Sequence, residues 1–192
     1  MAVEFELKYN LTDTAFEAIR ATMKTAATEY KMETTYYDTP GGDLSARNIT
    51  LRRRMENQLS VCTLKAPAKL GRAEFELHCA SIEAAIPELC KLSAIEDLPA
   101  LLAGGVVEVC GARFNRQAWQ ITLQDATVEL ALDRGVLLGG GKELPLCELE
   151  VELKEGDHKA ATAYATQLSI AYGLQPEKKS KFARAIALAK GE

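Results

Sequence analysis

The sequence predicts an α+β domain in which eight or so strands, mostly antiparallel, form a sheet that can close into a barrel. Strict alternation of apolar and polar residues, first seen over residues 2–9, predicts the strands. Apolar residues at helical spacing, such as Phe16, Ile19 and Met23, predict the helices. The chain has 192 residues, of which 47% are hydrophobic, and this suffices for a full core. We therefore expect a single domain over residues 1–192.

The predicted elements follow one another without an internal repeat or a linker. The strands are expected at residues 2–9, 31–38, 46–55, 59–66, 72–79, 106–111, 113–123, 126–138 and 144–154. The helices are expected at residues 12–27, 81–92, 158–172 and 178–190, with a short one inside the loop 93–105. Thr12 or Asp13 can cap the first helix, and Gly173 ends the third. Two glycine-rich segments, residues 40–42 and 139–141, predict turns.

Composition excludes several classes of function. The formal net charge of -4 argues against binding of nucleic acid through a basic field. An odd number of cysteines without C-x-x-C spacing predicts reduced thiols rather than a zinc site or disulfides: Cys62, Cys79, Cys90, Cys110 and Cys147. We find no signal peptide and no apolar stretch long enough to cross a membrane, so we expect a cytoplasmic protein without a membrane partner. Nothing in the sequence indicates an oligomeric state.

The polar faces of the predicted strands carry ordered charges. Glu4, Glu6 and Lys8 share one face of the first strand. Charged or polar residues also share one face on later strands: Arg52 and Arg54; Thr63 and Lys65; Arg72, Glu74 and Glu76; Glu129 and Asp133; Glu148, Glu150, Glu152 and Lys154. Neighbours on one face of a strand lie roughly 7 Å apart, so like charges repel unless a cation or a basic group lies between them.

Two interpretations of these charges compete. One is a solvated outer face with cross-strand salt bridges, which is the default for surface charges. The other is a polar lumen with acidic and basic sectors, where the acids hold hard cations and the bases hold phosphate oxygens. The repetition on at least six strands favours the lumen, and with it a site for metal ions and a polyanion.

The combination of motifs resembles the CYTH superfamily, also called the triphosphate tunnel metalloenzymes. The family hallmark is E-x-E-x-K near the N-terminus, and this chain has Glu4-Phe5-Glu6-Leu7-Lys8. The other matching segments are Tyr36-Tyr37-Asp38-Thr39-Pro40, Leu51-Arg52-Arg53-Arg54, Thr63-Leu64-Lys65, Arg72-Ala73-Glu74-Phe75-Glu76, Phe114-Asn115-Arg116, Ala131-Leu132-Asp133-Arg134-Gly135, residues 147–153 and Ser180-Lys181. The resemblance covers essentially the whole chain, and within the family the chain is most similar to bacterial inorganic triphosphatases. In those proteins a helical CHAD domain often follows, so the chain is expected to be either a stand-alone member or one domain of a longer protein.

The resemblance implies a closed eight-stranded antiparallel β-barrel, the triphosphate tunnel, with helices packed outside. It implies metal-dependent hydrolysis of inorganic triphosphate to pyrophosphate and phosphate. The implied ligands of Mg²⁺ or Mn²⁺ are Glu4, Glu6, Glu148, Glu150 and Glu152, without a decision on which of the last three touch metal. The implied triphosphate ligands are Lys8, Arg52, Arg54, Lys65, Arg116 and Lys181. Glu4, Glu6, Lys8 and Glu150 would be catalytic, with Glu76 and Asp133 as supporting acids.

One departure concerns position 118. Many family members carry a second basic residue two positions after the one matched by Arg116, and this chain has Ala118. Arg113 is the alternative that the chain offers.

Three alternatives stay open at this level. The same fold serves adenylyl cyclases and thiamine triphosphatases, although aromatic residues make up only 6% of the chain and no platform for a base is evident. A module that captures polyphosphate without hydrolysing it would need the bases and not the acids. A barrel rich in salt bridges would need neither ligand.

Overall fold

The computed structural model describes residues 5–68 and 72–192, and its central feature is one antiparallel sheet of nine strands. The strands are β1 (Glu6–Asn10), β2 (Thr28–Asp38), β3 (Thr50–Glu56), β4 (Leu59–Pro67), β5 (Arg72–His78), β6 (Val107–Thr122), β7 (Ala126–Gly139), β8 (Lys142–Gly156) and β9 (Gln175–Pro176). The first strand of the prediction therefore begins at Glu6, and residues 2–4 lie outside the described residues.

Six helices connect or flank these strands within the described residues. They are α1 (Asp13–Thr22), α2 (Asp43–Ala46), α3 (Ile82–Ser93), α4 (Leu98–Leu101), α5 (His158–Tyr172) and α6 (Lys181–Lys190). Side-chain oxygens of Thr12, Ser81 and Ser180 accept hydrogen bonds from backbone N–H groups in the first turns of α1, α3 and α6. No helix in this part of the chain is both long and apolar enough to cross a membrane.

The prediction of a closed eight-stranded barrel is wrong. Among the described residues the strands follow the order β5-β4-β3-β2-β6-β7-β8-β1-β9, which leaves β5 and β9 as the edges of an open sheet. Closure would require β1 to pair with β5. The free side of β1 is instead occupied by β9, because Asn10 pairs with Gln175 and the Lys8 carbonyl accepts a hydrogen bond of 2.8 Å from the Glu177 N–H.

The apolar face of the sheet carries most of the core. α1 and α5 cover the strands β1, β7 and β8, where Phe16, Ile19, Leu130 and Leu149 are buried. The helices α2, α3 and α4 complete a second cluster over β3, β4 and β5. Burial of large side chains such as Ile19 stabilises the fold by about 2 kcal/mol each. The alternation in the sequence thus correctly assigns this face to the core.

Helix α6 lies on the opposite face of the sheet, so the prediction that the helices pack outside is wrong for this helix. Its residue Ala185 is buried among Phe114, Leu137 and Leu146, which come from β6, β7 and β8. A side chain at Gly139 would lie 2.4 Å from the Ala185 carbonyl oxygen, so only glycine permits this close approach. Helix α6 packs on the apolar part of this face. Lys181, the first residue of the helix, reaches the charged side chains next to it and contacts Asp133.

Several boundaries differ from the predicted ones; for example, β3 begins at Thr50 and not at residue 46. Three of the differences have local reasons. The strands expected at 106–111 and 113–123 form the single strand β6, because Gly111 pairs with Thr35 and Leu138 inside the sheet. Helix α1 ends at Thr22 instead of residue 27, since Met23 has an extended backbone. Helix α6 begins at Lys181 and not at residue 178, because its cap is Ser180.

Asp38 fixes the turn between β2 and α2. Its buried carboxylate accepts hydrogen bonds of 2.8 Å from the Thr39 and Leu44 N–H groups, and two more from the N–H and hydroxyl of Ser45. We expect Asp38→Ala to lower the free energy of unfolding by about 3 kcal/mol, since several donors lose a charged partner. Denaturant unfolding measures this. The control Asp125→Ala, at an exposed position, should change it by less than about 0.5 kcal/mol. Equal effects of the two variants would contradict the role of the Asp38 carboxylate in stabilising this turn.

Candidate active site

One face of the sheet, here called the charged face, brings together side chains from seven strands. Its members are Glu6 and Lys8 on β1; Arg52 and Arg54 on β3; Thr63 and Lys65 on β4; Glu74 and Glu76 on β5; Arg116 on β6; Glu129 and Asp133 on β7; and Glu148, Glu150, Glu152 and Lys154 on β8. Side chains alternate between faces along a strand, so the period of two in the sequence places them together.

Three carboxylates form a buried cluster at the centre of this face. Asp133 and Glu148 are directly opposite each other on β7 and β8, and Glu150 lies two residues further along. One oxygen from each side chain lies within 4.8 Å of the other two. Asp133 and Glu148 are 0% exposed and Glu150 is 9% exposed. We call these three residues the acid cluster.

Three basic side chains neutralise the acid cluster. Arg116 makes two parallel hydrogen bonds of 2.8 Å to Asp133 and also contacts Glu150. The Lys181 ammonium contacts all three acids, at 2.8 Å from Asp133 Oδ2 and 2.7 Å from Glu150 Oε1. Arg184, one turn further along α6, contacts Glu148. Three acids and three bases therefore pair in a largely buried group, whose most exposed side chain, Arg184, is 13% exposed.

Burial and ion pairing move the pKa values of this cluster in different directions. Burial raises the pKa of Glu148 and outweighs the attraction of Lys181. Burial alone would also raise the pKa of Glu150, but Lys181 and Arg116 hold it well below its usual range. Burial alone would lower the pKa of Lys181, but Asp133 and the two glutamates raise it. The ammonium and the Glu150 carboxylate are consequently both charged at neutral pH.

A second group of bases lies on β3 and β4. Arg52 and Lys65 share the carboxylate of Glu74, at 3.4 and 3.3 Å. Arg54 donates a hydrogen bond of 3.2 Å to the Thr34 hydroxyl and lies 3.7 Å from Glu56. We call Arg52, Arg54 and Lys65 the basic group. It is separated from the acid cluster by β2 and β6, because β3 and β7 are three strand spacings, or about 14 Å, apart along the sheet.

Within the basic group, the positive charge of Arg54 is disfavoured. Burial and the neighbouring Arg52 lower the pKa of Arg54 to about 10. The side chain of Arg54 is only 11% exposed, so water compensates little of its charge. Among the described residues the buried Nε of Arg52 has no hydrogen-bond partner. Such an unsatisfied buried donor beside a disfavoured charge indicates a place for an anion.

The other residues expected at the site lie at its margins, and Glu4 is outside the described residues. Glu6 and Lys8 form an ion pair of 2.9 Å on β1, where Lys8 is directly opposite Glu150. Glu152 pairs with Lys154 at 2.8 Å.

The structure separates the two acids expected to support the site. Glu76 is on β5, where it accepts a hydrogen bond of 3.2 Å from Thr63, while Asp133 belongs to the acid cluster. Arg113 pairs with the exposed Glu143 and is not part of the charged face.

Arg184 also belongs to the site, although no motif in the sequence marks it. The spacing could have predicted this, because Arg184 follows Lys181 by three residues in a predicted helix and the two bases therefore lie on one side of that helix. Its guanidinium contacts Glu148 and lies 3.8 Å from Glu177.

The acid cluster fits a hard divalent cation. Its donors are carboxylate oxygens, the ligand type that Mg²⁺ and Mn²⁺ prefer. The contact of the Lys181 ammonium with all three carboxylates shows that their oxygens converge on a single cation. The donor set of this part of the charged face therefore fits a divalent metal ion.

Comparison with known proteins identifies the class to which this fold and site belong. Residues 2–186 match the CYTH domain family, so the chain belongs to that family. The resemblance seen in the motifs is thereby confirmed. An inorganic triphosphatase from Haemophilus influenzae is 32% identical over 128 residues, which are 64% of this chain and 36% of that protein. The chain thus spans about a third of the length of this relative.

Solved structures support the same fold. The protein HpAC1 from Hippeastrum, a candidate adenylyl cyclase with a dominant triphosphatase activity, has a TM-score of 0.71 at 18% identity and covers 99% of this chain and 97% of its own. A candidate adenylate cyclase from Bacillus halodurans has a TM-score of 0.62 at 16% identity, with 93% and 94% covered. The PH1819 protein from Pyrococcus horikoshii has a TM-score of 0.61 at 20% identity, with 98% and 99% covered. At these identities the likeness concerns the fold alone.

Proposed function

We propose that this chain, acting as a single domain, hydrolyses inorganic triphosphate to pyrophosphate and phosphate with the help of Mg²⁺ or Mn²⁺. The observation that carries the proposal is the charged face, where a buried acid cluster lies on the same surface as the basic group. The triphosphatase from Haemophilus influenzae supports the choice of substrate. A small polyanion needs many bases, and the charged face supplies them on β1, β3, β4 and β6.

The basic residues would bind and orient the substrate. Arg52, Arg54 and Lys65 would take phosphate oxygens from one side, with the free Nε of Arg52 as an additional donor. Lys8, Arg116 and Lys181 would take them from the acid-cluster side. Fixed positive charges in a buried site bind the charge that develops in the transition state more strongly than water does.

The acidic residues would bind the metal. Glu148 and Glu150, with Asp133, are the central candidates. Glu6 and Glu152, at the margin of the face, are proposed as further ligands, and so is Glu4, which lies outside the described residues. A bound divalent cation would supply Lewis acidity and lower the pKa of a water molecule. We therefore propose Asp133 as a metal ligand, where the sequence had suggested only a supporting acid.

The chemistry itself needs no nucleophilic side chain. Water attacks the terminal phosphorus, the bond from that phosphorus to the bridging oxygen breaks, and the electron pair leaves on pyrophosphate. The proton that the water loses is taken up by the pyrophosphate oxygen or by solvent. Arg52 and Arg54 would hold the departing phosphates and keep the three reacting atoms in line. Lys8, which lies opposite Glu150, would position the oxygens next to the acid cluster.

The test is release of phosphate from inorganic triphosphate, ATP and thiamine triphosphate, each with Mg²⁺, with Mn²⁺ and with a chelator. We expect cleavage of inorganic triphosphate to be at least tenfold faster than cleavage of the two organic substrates, and to stop in chelator. A preference for ATP or thiamine triphosphate would contradict the proposed substrate but not the proposed site. Tight binding of triphosphate without any hydrolysis would contradict an enzyme and favour a module that captures polyphosphate.

A further inference from the structure

Lys181 occupies the position that a metal ion would take. Its ammonium nitrogen contacts one oxygen from each member of the acid cluster, at 2.8 Å from Asp133 and 2.7 Å from Glu150. An ammonium donates three hydrogen bonds, and here all three acceptors are carboxylates. The side chain is 7% exposed, so water does not compete for these contacts.

The remaining oxygens of the acid cluster are also engaged. Arg116 contacts the second oxygens of Asp133 and Glu150, and Arg184 contacts the second oxygen of Glu148. Three carboxylates thus face three cations, and the formal charge of the group is zero. A divalent cation added to this arrangement would meet three positive charges at close range, which repel it strongly where water is excluded.

From this arrangement we infer that Lys181 and the metal compete for the same carboxylate oxygens, and that triphosphate resolves the competition by giving Lys181 new anionic partners. The inference rests on the proposed function, because it assigns the phosphate oxygens as those partners. Lys181 holds the acid cluster in place when substrate is absent. It moves to the phosphates when substrate and metal arrive together.

The fold allows this exchange without displacement of helix α6. The packing of Ala185 against Gly139 anchors the helix, and Ser180 caps its first turn. Lys181 is in that first turn, and its flexible four-carbon side chain can swing while the backbone stays in place. Metal and triphosphate therefore bind cooperatively, and each raises the affinity for the other by the same factor.

The experiment is titration of the protein with Mn²⁺ in the absence of any phosphate, by calorimetry and by the loss of the free-ion electron paramagnetic resonance signal. Lys181→Met is expected to bind Mn²⁺ at least tenfold more tightly than the wild type, because the competing ammonium is gone. Lys181→Arg, which keeps the charge, should stay within about threefold of the wild type. The control Lys179→Met, at an exposed position two residues before, should not change the affinity.

Equal or weaker Mn²⁺ binding by Lys181→Met would overturn the inference. If the variant is too unstable for titration, its melting temperature provides a second test, since added Mn²⁺ should raise it by more than in the wild type. The absence of such a difference would also overturn the inference. Neither measurement uses hydrolysis, so a wild type that fails to cleave triphosphate would refute the proposed function alone.

Discussion

Glu150→Gln is expected to lower the rate of phosphate release from inorganic triphosphate by about 10³-fold, an effect as large as the greatest losses seen when one preorganised transition-state-stabilising group is removed. Glutamine keeps the shape of the side chain and removes the charge that Lys181 and Arg116 contact. Without that carboxylate the cluster can no longer offer three anionic oxygens to a cation. Steady-state kinetics at saturating Mg²⁺ measures the effect.

The matched control is Glu143→Gln on the same strand. Glu143 is exposed and pairs with the exposed Arg113, outside the charged face. Its replacement should leave the rate within about twofold of the wild type, since exposed ion pairs contribute little. A Glu150→Gln enzyme that melts as the wild type does and keeps its full rate would contradict the role of the acid cluster.

Arg54→Gln is expected to weaken the binding of inorganic triphosphate by about 30-fold, the equivalent of about 2 kcal/mol for a lost charged hydrogen bond. Calorimetry in metal-free buffer measures the affinity without hydrolysis. The matched control is Arg53→Gln, because Arg53 is adjacent in sequence and donates to Ser60 instead of joining the charged face. Its affinity for triphosphate should stay within about threefold of the wild type. Equal losses in the two variants would contradict a specific site.

The same substitution should not destabilise the protein when triphosphate is absent. Burial and Arg52 lower the pKa of Arg54 to about 10, so folding disfavours its charged form. The resulting loss of folding stability is present at every pH below about 10. It fades as the pH rises from there towards the pKa that Arg54 has in the unfolded chain. Arg54→Gln removes this loss, and we expect its melting temperature at pH 7.5 to equal or exceed that of the wild type. A clear drop in melting temperature would show that Arg54 is a structural residue.

The charged face could be predicted because strand alternation has a fixed period. Arg52 and Arg54, or Glu148 and Glu150, must share a face wherever the strands run, and the family motifs selected that face as the site. The sequence did not indicate which glutamates come together. Glu148 and Glu150 face Lys181 from helix α6, whereas Glu152 pairs with Lys154, and this division depends on where the helix lies.

The open sheet and the place of α6 were not predictable by the same reasoning. Strand β9 has two residues, one of them Pro176, and no alternation can signal so short a strand. Yet its pairing with Asn10 occupies the side of β1 that a closed barrel needs. An amphipathic helix such as α6 can pack on either face of a sheet, and the close approach at Gly139 decides between them only once the fold is known.

The most direct test of the central claim is a crystal structure of Glu150→Gln, the variant expected to be slow, grown with inorganic triphosphate and Mn²⁺. We expect phosphate density on the charged face in contact with Arg52 and Arg54, and an anomalous Mn²⁺ peak beside Asp133 and Glu148, the two carboxylates of the acid cluster that the variant keeps. Triphosphate bound elsewhere on the protein, or density on the charged face that leaves both arginines without contact, would contradict the proposed substrate site.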